Sequence, residues 1–116
     1  MNGRNKRAVG TQYEEYAMRF LESQGLRTME QNYFSHGGEI DLIAMDAGTV
    51  CFIEVKYRAT SAMGFPEEAV DAKKQRRLRN GARDYLCHHP EYAGAACRFD
   101  VISILGQEIT WIKDAF

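Results

Sequence analysis

The sequence predicts an α/β domain in which helices pack on a central mixed β-sheet. Three observations predict it. A stripe of apolar residues at helical spacing lies near the start. Two runs that alternate with period two, joined by a turn composition, follow it. A second helical stretch then precedes two more strand-like runs. The order helix, three strands, helix, two strands suits a sheet covered by helices.

Residues 1–9 are polar and basic, with Arg4, Lys6 and Arg7 and no periodicity. They read as a flexible basic arm, leaving 10–116 as a single domain. From Thr11 to Gln24, Tyr13, Tyr16, Ala17, Phe20 and Leu21 form an i, i+3, i+4, i+7, i+8 stripe. Thr11 is placed to cap this helix, with Glu14 completing a capping box. Gly25 suits the position after its last turn. Leu26 to Tyr33 reads as a first strand, and Ser35-His36-Gly37-Gly38 as the loop after it.

Gly38 to Ala44 and Phe52 to Lys56 alternate as strands with two different faces do. Between them lies Asp46-Ala47-Gly48-Thr49, a turn composition, so the region reads as a β-hairpin. If it closes with Met45 opposite Val50, Asp41 falls opposite Glu54, with Cβ atoms roughly 4.5–5.5 Å apart. Lys56 shares the face of Glu54. Ile40, Leu42, Ile53 and Val55 are then expected on the other face. Two carboxylates this close repel unless a positive charge sits between them, and their hard oxygens suit Mg²⁺ or Mn²⁺. A lysine beside such a metal holds a water or a substrate oxygen. The chemistry this set points to is metal-assisted phosphodiester hydrolysis. The plainer reading is a solvated strand face with a cross-strand ion pair.

Thr60 to Pro66 is a loop of small residues. A helix is expected from Glu67 to Leu86, with Val70, Leu78, Ala82, Tyr85 and Leu86 facing inward. Extending that stripe backwards reaches Lys74 and Gln75, two polar groups that need partners. The carboxylates and a substrate phosphate would supply them. Arg76, Arg79 and Arg83 fall on another face, suited to phosphates or to water. Gly81 inside the helix weakens it by roughly 1 kcal/mol relative to alanine. Cys87 to Ala96 reads as a loop. Arg98 to Leu105 and Glu108 to Lys113 read as strands, joined by Gly106-Gln107. Asp100 reads as a structural partner for a nearby basic group.

At 116 residues the chain is long enough for one real core but not two. Its 45% hydrophobic and 27% charged residues are those of an ordinary globule. No apolar run approaches the ~20 residues of a membrane span, and no signal peptide opens the chain. Cys51, Cys87 and Cys97 lack metal-ligand spacing and read as reduced thiols, which points to the cytoplasm. The net charge is −1, but Asp71 to Asp84 carries six basic residues against two acids. The acids gather around the hairpin and the first helix. That split suits an anionic polymer held by one region and cut at another. Nothing in the pattern specifies an oligomer.

Asp41, a hairpin and then Glu54-Val55-Lys56 resemble the PD-(D/E)xK nuclease motif, although Ile40 stands where the general motif has proline. Gly37-Gly38-Glu39-Ile40-Asp41-Leu42-Ile43 with Phe52-Ile53-Glu54-Val55-Lys56-Tyr57-Arg58 is similar to the YraN-like family of small predicted endonucleases. The similarity extends to Gly10, Glu14 and Ala17, to Gly64-Phe65-Pro66, to Val70 through Leu78, and to Arg98-Phe99-Asp100-Val101. The resemblance implies a restriction-endonuclease-like core related to Holliday-junction resolvases. It also implies nucleic acid as the partner, with DNA favoured over RNA, and no membrane. Asp41 and Glu54 would hold Mg²⁺ or Mn²⁺ with the backbone carbonyl of Val55. Glu14 matches the family's helix glutamate and would join them directly or through water; helix capping is its plainer role. Lys56 would act on the attacking water or the oxyanion. Lys74, Gln75, Arg76, Arg79 and Arg83 would bind substrate. A non-catalytic nucleic-acid-binding module on the same fold is the alternative.

Overall fold

A computed structural model describes residues 2–60 and 70–116, with side chains described from residue 12. The elements are α1 (Asn2–Ser23), β1 (Arg27–Ser35), β2 (Gly38–Asp46), β3 (Thr49–Arg58), α2 (Ala72–His88), β4 (Ala96–Leu105) and β5 (Glu108–Ile112). A single 3-10 turn, Pro90–Tyr92, separates α2 from β4. The expected loop Thr60–Pro66, with Gly64-Phe65-Pro66, and the expected helix start at Glu67 lie outside the described residues beyond Thr60.

The five strands form one mixed sheet in the order β1-β2-β3-β4-β5. Every neighbouring pair is antiparallel except β3–β4. A parallel pair needs a long crossover, and α2 provides it. Among the described residues, each face of the sheet carries one helix. Ala17 and Leu21 of α1 pack with Leu42, Ala44, Cys51, Ile53, Ile102 and Ile104. On the other face Leu78, Ala82 and Tyr85 of α2 pack with Ile40, Ile43, Val50 and Phe52. Alternation along β3 sends Cys51 and Ile53 to α1, and Val50 and Phe52 to α2.

Three expectations are corrected. α1 begins at Asn2 rather than near Thr11, so Thr11 lies inside the helix and is not its cap. The boundary drawn at Gly10 therefore also falls within α1. Extending a formed helix costs little, so it can run past its apolar stripe. α2 begins at Ala72, because Asp71 caps it by accepting the Lys74 N–H at 2.9 Å. Ile40 packs against α2 together with Ile43, although period two would put it with Leu42. The alternation of β2 thus breaks at Asp41. At the other end of α1 the expectation for Gly25 holds. Its φ is +96°, its N–H bonds Glu22 at 3.0 Å, and the Leu26 N–H bonds Leu21 at 3.1 Å. This is a Schellman ending, and it requires the left-handed residue that glycine supplies.

Gly81 has a packing reason as well as a helical cost. A Cβ on Gly38 would lie 2.5 Å from the Gly81 nitrogen and 2.7 Å from the Arg77 carbonyl oxygen. β2 and α2 therefore meet backbone to backbone where these two glycines face each other. That contact sets how close α2, with Lys74 near its start, comes to the sheet. Among the described residues, no helix is long and apolar enough to cross a membrane.

Candidate active site

β2 and β3 pair with Met45 opposite Val50, Ile43 opposite Phe52 and Leu42 opposite Ile53. That register leads to Asp41 beside Glu54, but regular pairing stops one step short. Instead, Asp41 Oδ2 accepts the Val55 N–H at 2.8 Å. The carboxylate stands where a backbone carbonyl of β2 would have stood, so the two strands part around it. In an extended strand the N–H and C=O of one residue point to the same side. The Val55 carbonyl therefore faces the same fork.

Glu14 reaches the fork from α1. Its carboxylate has the Asn32 side chain and Asp41 as neighbours. Burial raises its proton affinity, the Asn32 contact lowers it, and the charges of Glu54 and Glu39 add to the rise. Asn32 stands at the β1 position between Gln31, opposite Leu42, and Tyr33, opposite Ile40. It has φ 52°, a left-handed conformation that asparagine tolerates better than most residues. Next to Glu14, Tyr13 stacks on Tyr57 with ring centroids 3.6 Å apart, bracing α1 against β3 beside Lys56.

Asp41 is pushed up to about 8, first by burial and then by the Glu54 charge, against the opposing pull of the Val55 N–H. The Glu14 charge adds to the rise. Glu54 is only 3% exposed, yet it is paired. Lys56 Nζ lies 3.2 Å from its Oε2 and Lys74 Nζ lies 3.1 Å from the same oxygen. Burial works to lower the proton affinity of Lys74, but Glu54 outweighs it and the net shift is upward.

The structure therefore brings together Asp41, Glu54, Lys56, Glu14, Val55 and Lys74. It does not bring in the others. Gln75 donates to the Val70 carbonyl at 3.3 Å, at the start of α2. Arg76, Arg79 and Arg83 are exposed, and the Arg79 guanidinium lies over the Phe99 and Phe116 rings at 5.1 and 5.4 Å. Glu39 pairs with Arg77 at 3.0 Å. Two contributions were not read from the sequence. Asn32 left one signal, an asparagine inside a strand pattern. The Tyr13–Tyr57 stack left none, because it depends on how α1 crosses β3. Asp100 is fully buried and serves structure: it accepts bonds from Arg98, Trp111 Nε1 and the Asp114 N–H.

The donors fit a hard divalent cation in kind. Glu14, Asp41, Glu54 and the Val55 carbonyl all offer oxygen, the donor type such an ion takes. They do not stand as a ready cage. Among the described residues, no three His, Cys, Asp or Glu groups surround one point at ligand distance. The two ammonium groups on Glu54 Oε2 hold the place of positive charge.

Sequence comparison gives a consistent result. Residues 13–104 match the profile described as "Uncharacterised protein family UPF0102". The chain is 41% identical to a UPF0102 protein of Pseudomonas syringae pv. syringae (strain B728a) over 121 aligned residues, covering 100% of this chain and 98% of that protein. It is 43% identical to a UPF0102 protein of Lachnoclostridium phytofermentans, covering 97% of this chain and 95% of that one. A UPF0102 protein of Francisella tularensis subsp. tularensis (strain WY96-3418) is also 43% identical, with 93% of each chain covered.

Proposed function

We propose that this chain, which belongs to the uncharacterised protein family UPF0102, hydrolyses nucleic-acid phosphodiesters, those of DNA, with a divalent metal. One observation carries the reading: the Asp41 carboxylate takes the Val55 N–H at a fork between two strands, next to buried Glu54, whose carboxylate the Lys56 ammonium pairs. An exposed strand face would have no reason to bury Glu54 and to half-bury Asp41 beside it. Placing them side by side costs free energy that a cation returns.

Asp41 and Glu54 would hold Mg²⁺ or Mn²⁺, helped by the Val55 carbonyl and by Glu14 directly or through water. Such an ion lowers the pKa of bound water and offsets charge on the phosphate. The chain's own groups do the rest. Lys56 presents ammonium hydrogens to the attacking water or to the developing oxyanion. Lys74 is placed to pair with a phosphate oxygen beside the reacting one. Asn32 and the Tyr13–Tyr57 stack fix Glu14, and so fix where its carboxylate meets Asp41. Arg76, Arg79 and Arg83 extend a basic surface along α2 that suits the backbone of a longer substrate.

The pairing of Glu54 with two lysines favours a second reading, a nucleic-acid-binding module without turnover. A cleavage panel separates the two. Single-stranded, duplex, flap and four-way-junction DNA, and a matching RNA, are incubated with Mg²⁺, with Mn²⁺ and with EDTA. Metal-dependent cutting that Lys56→Ala abolishes while binding persists supports the nuclease. Binding without cutting in every metal supports the binding module.

A further inference from the structure

Both ammonium groups at the site claim one atom, Glu54 Oε2, at 3.1 and 3.2 Å. They reach it from different parts of the fold. Lys56 stands two residues along the same strand, so the strand fixes where its side chain starts. Lys74 comes from the first turn of α2, and its side chain is 26% exposed. A cation cannot take Oε2 while two ammonium groups share it, because like charges at that distance repel strongly in a buried site. Of the two ammonium groups, that of Lys74 is the more open to an arriving phosphate, its side chain 26% exposed against 19% for Lys56.

We propose that Lys74 is an exchangeable latch: it occupies Glu54 until a substrate phosphate draws it away, and so couples binding of the metal to binding of nucleic acid. This inference rests on the nuclease reading of the site and adds its regulation. The charges support it. With Lys74 in place, two ammonium groups face the Glu14, Asp41 and Glu54 carboxyl groups, and the site is near balance without metal. With a divalent ion in place, the same lysine is surplus at Glu54 and of use on a phosphate. Coupling of this kind is reciprocal, so metal tightens nucleic-acid binding by the factor by which nucleic acid tightens metal binding.

The test is Mn²⁺ titration by calorimetry on the whole chain, with no nucleic acid present. The proteins are wild type, Lys74→Met and Lys73→Met. The last removes an exposed neighbouring charge and controls for net charge. A latch predicts that Lys74→Met binds Mn²⁺ roughly tenfold tighter or more, within the usual range of coupling between sites, while Lys73→Met stays within about twofold of wild type. The titrations are repeated with a saturating phosphorothioate oligonucleotide, which resists hydrolysis. Wild type should then tighten towards the Lys74→Met value, and Lys74→Met should not change. Equal effects of the two variants, or weaker Mn²⁺ binding by Lys74→Met, would overturn the latch and leave the nuclease reading standing. An oligonucleotide effect as large in Lys74→Met as in wild type would do the same. No Mn²⁺ binding by any of the three proteins would overturn the metal site itself, and the latch with it. Melting curves of each protein in EDTA confirm that the variants are folded before titration.

Discussion

Gly38→Ala should unseat α2 and disturb the site from a distance. The new Cβ would lie 2.5 Å from the Gly81 nitrogen, 2.7 Å from the Arg77 carbonyl oxygen and 2.8 Å from the Gly81 Cα. All three atoms are helix backbone, so no side chain can swing aside. Carbon–carbon contacts are comfortable at about 3.5–4.0 Å, so α2 must retreat by about 1 Å. Overpacking of this kind costs about 1–3 kcal/mol. In a chain of this size each kcal/mol lowers the melting temperature by about 4–6 °C, so the variant should melt about 5–15 °C below wild type. The same retreat lengthens the Lys74–Glu54 pair, which stands at 3.1 Å. Gly37→Ala is the control: its φ is +82° and nothing lies within 4 Å of a new Cβ. It carries only the left-handed strain of about 1–2 kcal/mol. Its loss of stability leaves α2 in place and the response to Mn²⁺ unchanged, whereas Gly38→Ala changes both. Melting curves with EDTA and with Mn²⁺ measure this. A Gly38→Ala protein as stable as wild type, with an unaltered Mn²⁺ response, would refute the close contact as the seat of α2.

Three further outcomes follow from the same geometry. Duplex binding should weaken as salt rises, by about 0.9 in log K per log salt for each phosphate neutralised, and joint replacement of Arg76, Arg79 and Arg83 by alanine should flatten that slope. Fluorescence anisotropy across a salt series reads it, and an unchanged slope assigns those arginines to the solvated face. In EDTA, stability should fall as pH rises from about 4 towards 8. Asp41 is raised from 3.8 to about 8, so the fold favours its protonated form, and that contribution is lost as the proton leaves. Denaturant midpoints at pH 5 and pH 8 test the sign, and equal midpoints would contradict it. Asp100→Asn should destabilise by about 3 kcal/mol or more, because Arg98 loses a fully buried partner and keeps only Asp46 at 2.7 Å. A thermal melt near the wild-type value would contradict that.

Part of this molecule was legible in its sequence for physical reasons. The β2–β3 register follows from alternation, because a slip of one residue would turn Leu42 and Ile53 out of their core. The turn composition at Asp46–Thr49 selected the same alignment, and so Asp41, Glu54 and Lys56 were found together. Inward-pointing Lys74 was legible because a polar residue on an apolar stripe demands a partner. What was not legible lies where chain segments distant in sequence meet. The parallel pairing of β3 with β4 leaves no local trace. The break in alternation at Asp41 depends on its carboxylate capturing the Val55 N–H, which sent Ile40 to the opposite face. Gly81 looked like a weakness in a helix until Gly38 was found against it. Gln75 shared the inward stripe with Lys74, but the local carbonyl of Val70 satisfied it first.

A nuclease at this site requires that the paired acids bind a cation. Thermal melts of wild type and Asp41→Asn, each in EDTA and in Mn²⁺, test this most directly. Asn keeps the shape and removes the group that burial and Glu54 push up to about 8. Mn²⁺ should stabilise wild type, by about 2.7 kcal/mol at a hundredfold excess over Kd. Asp41→Asn in EDTA should be as stable as wild type or more so, and Mn²⁺ should no longer stabilise it. A wild type indifferent to Mn²⁺, together with an Asp41→Asn protein that is less stable in EDTA, would make these residues a salt-bridged strand face and end the case for a nuclease at this site.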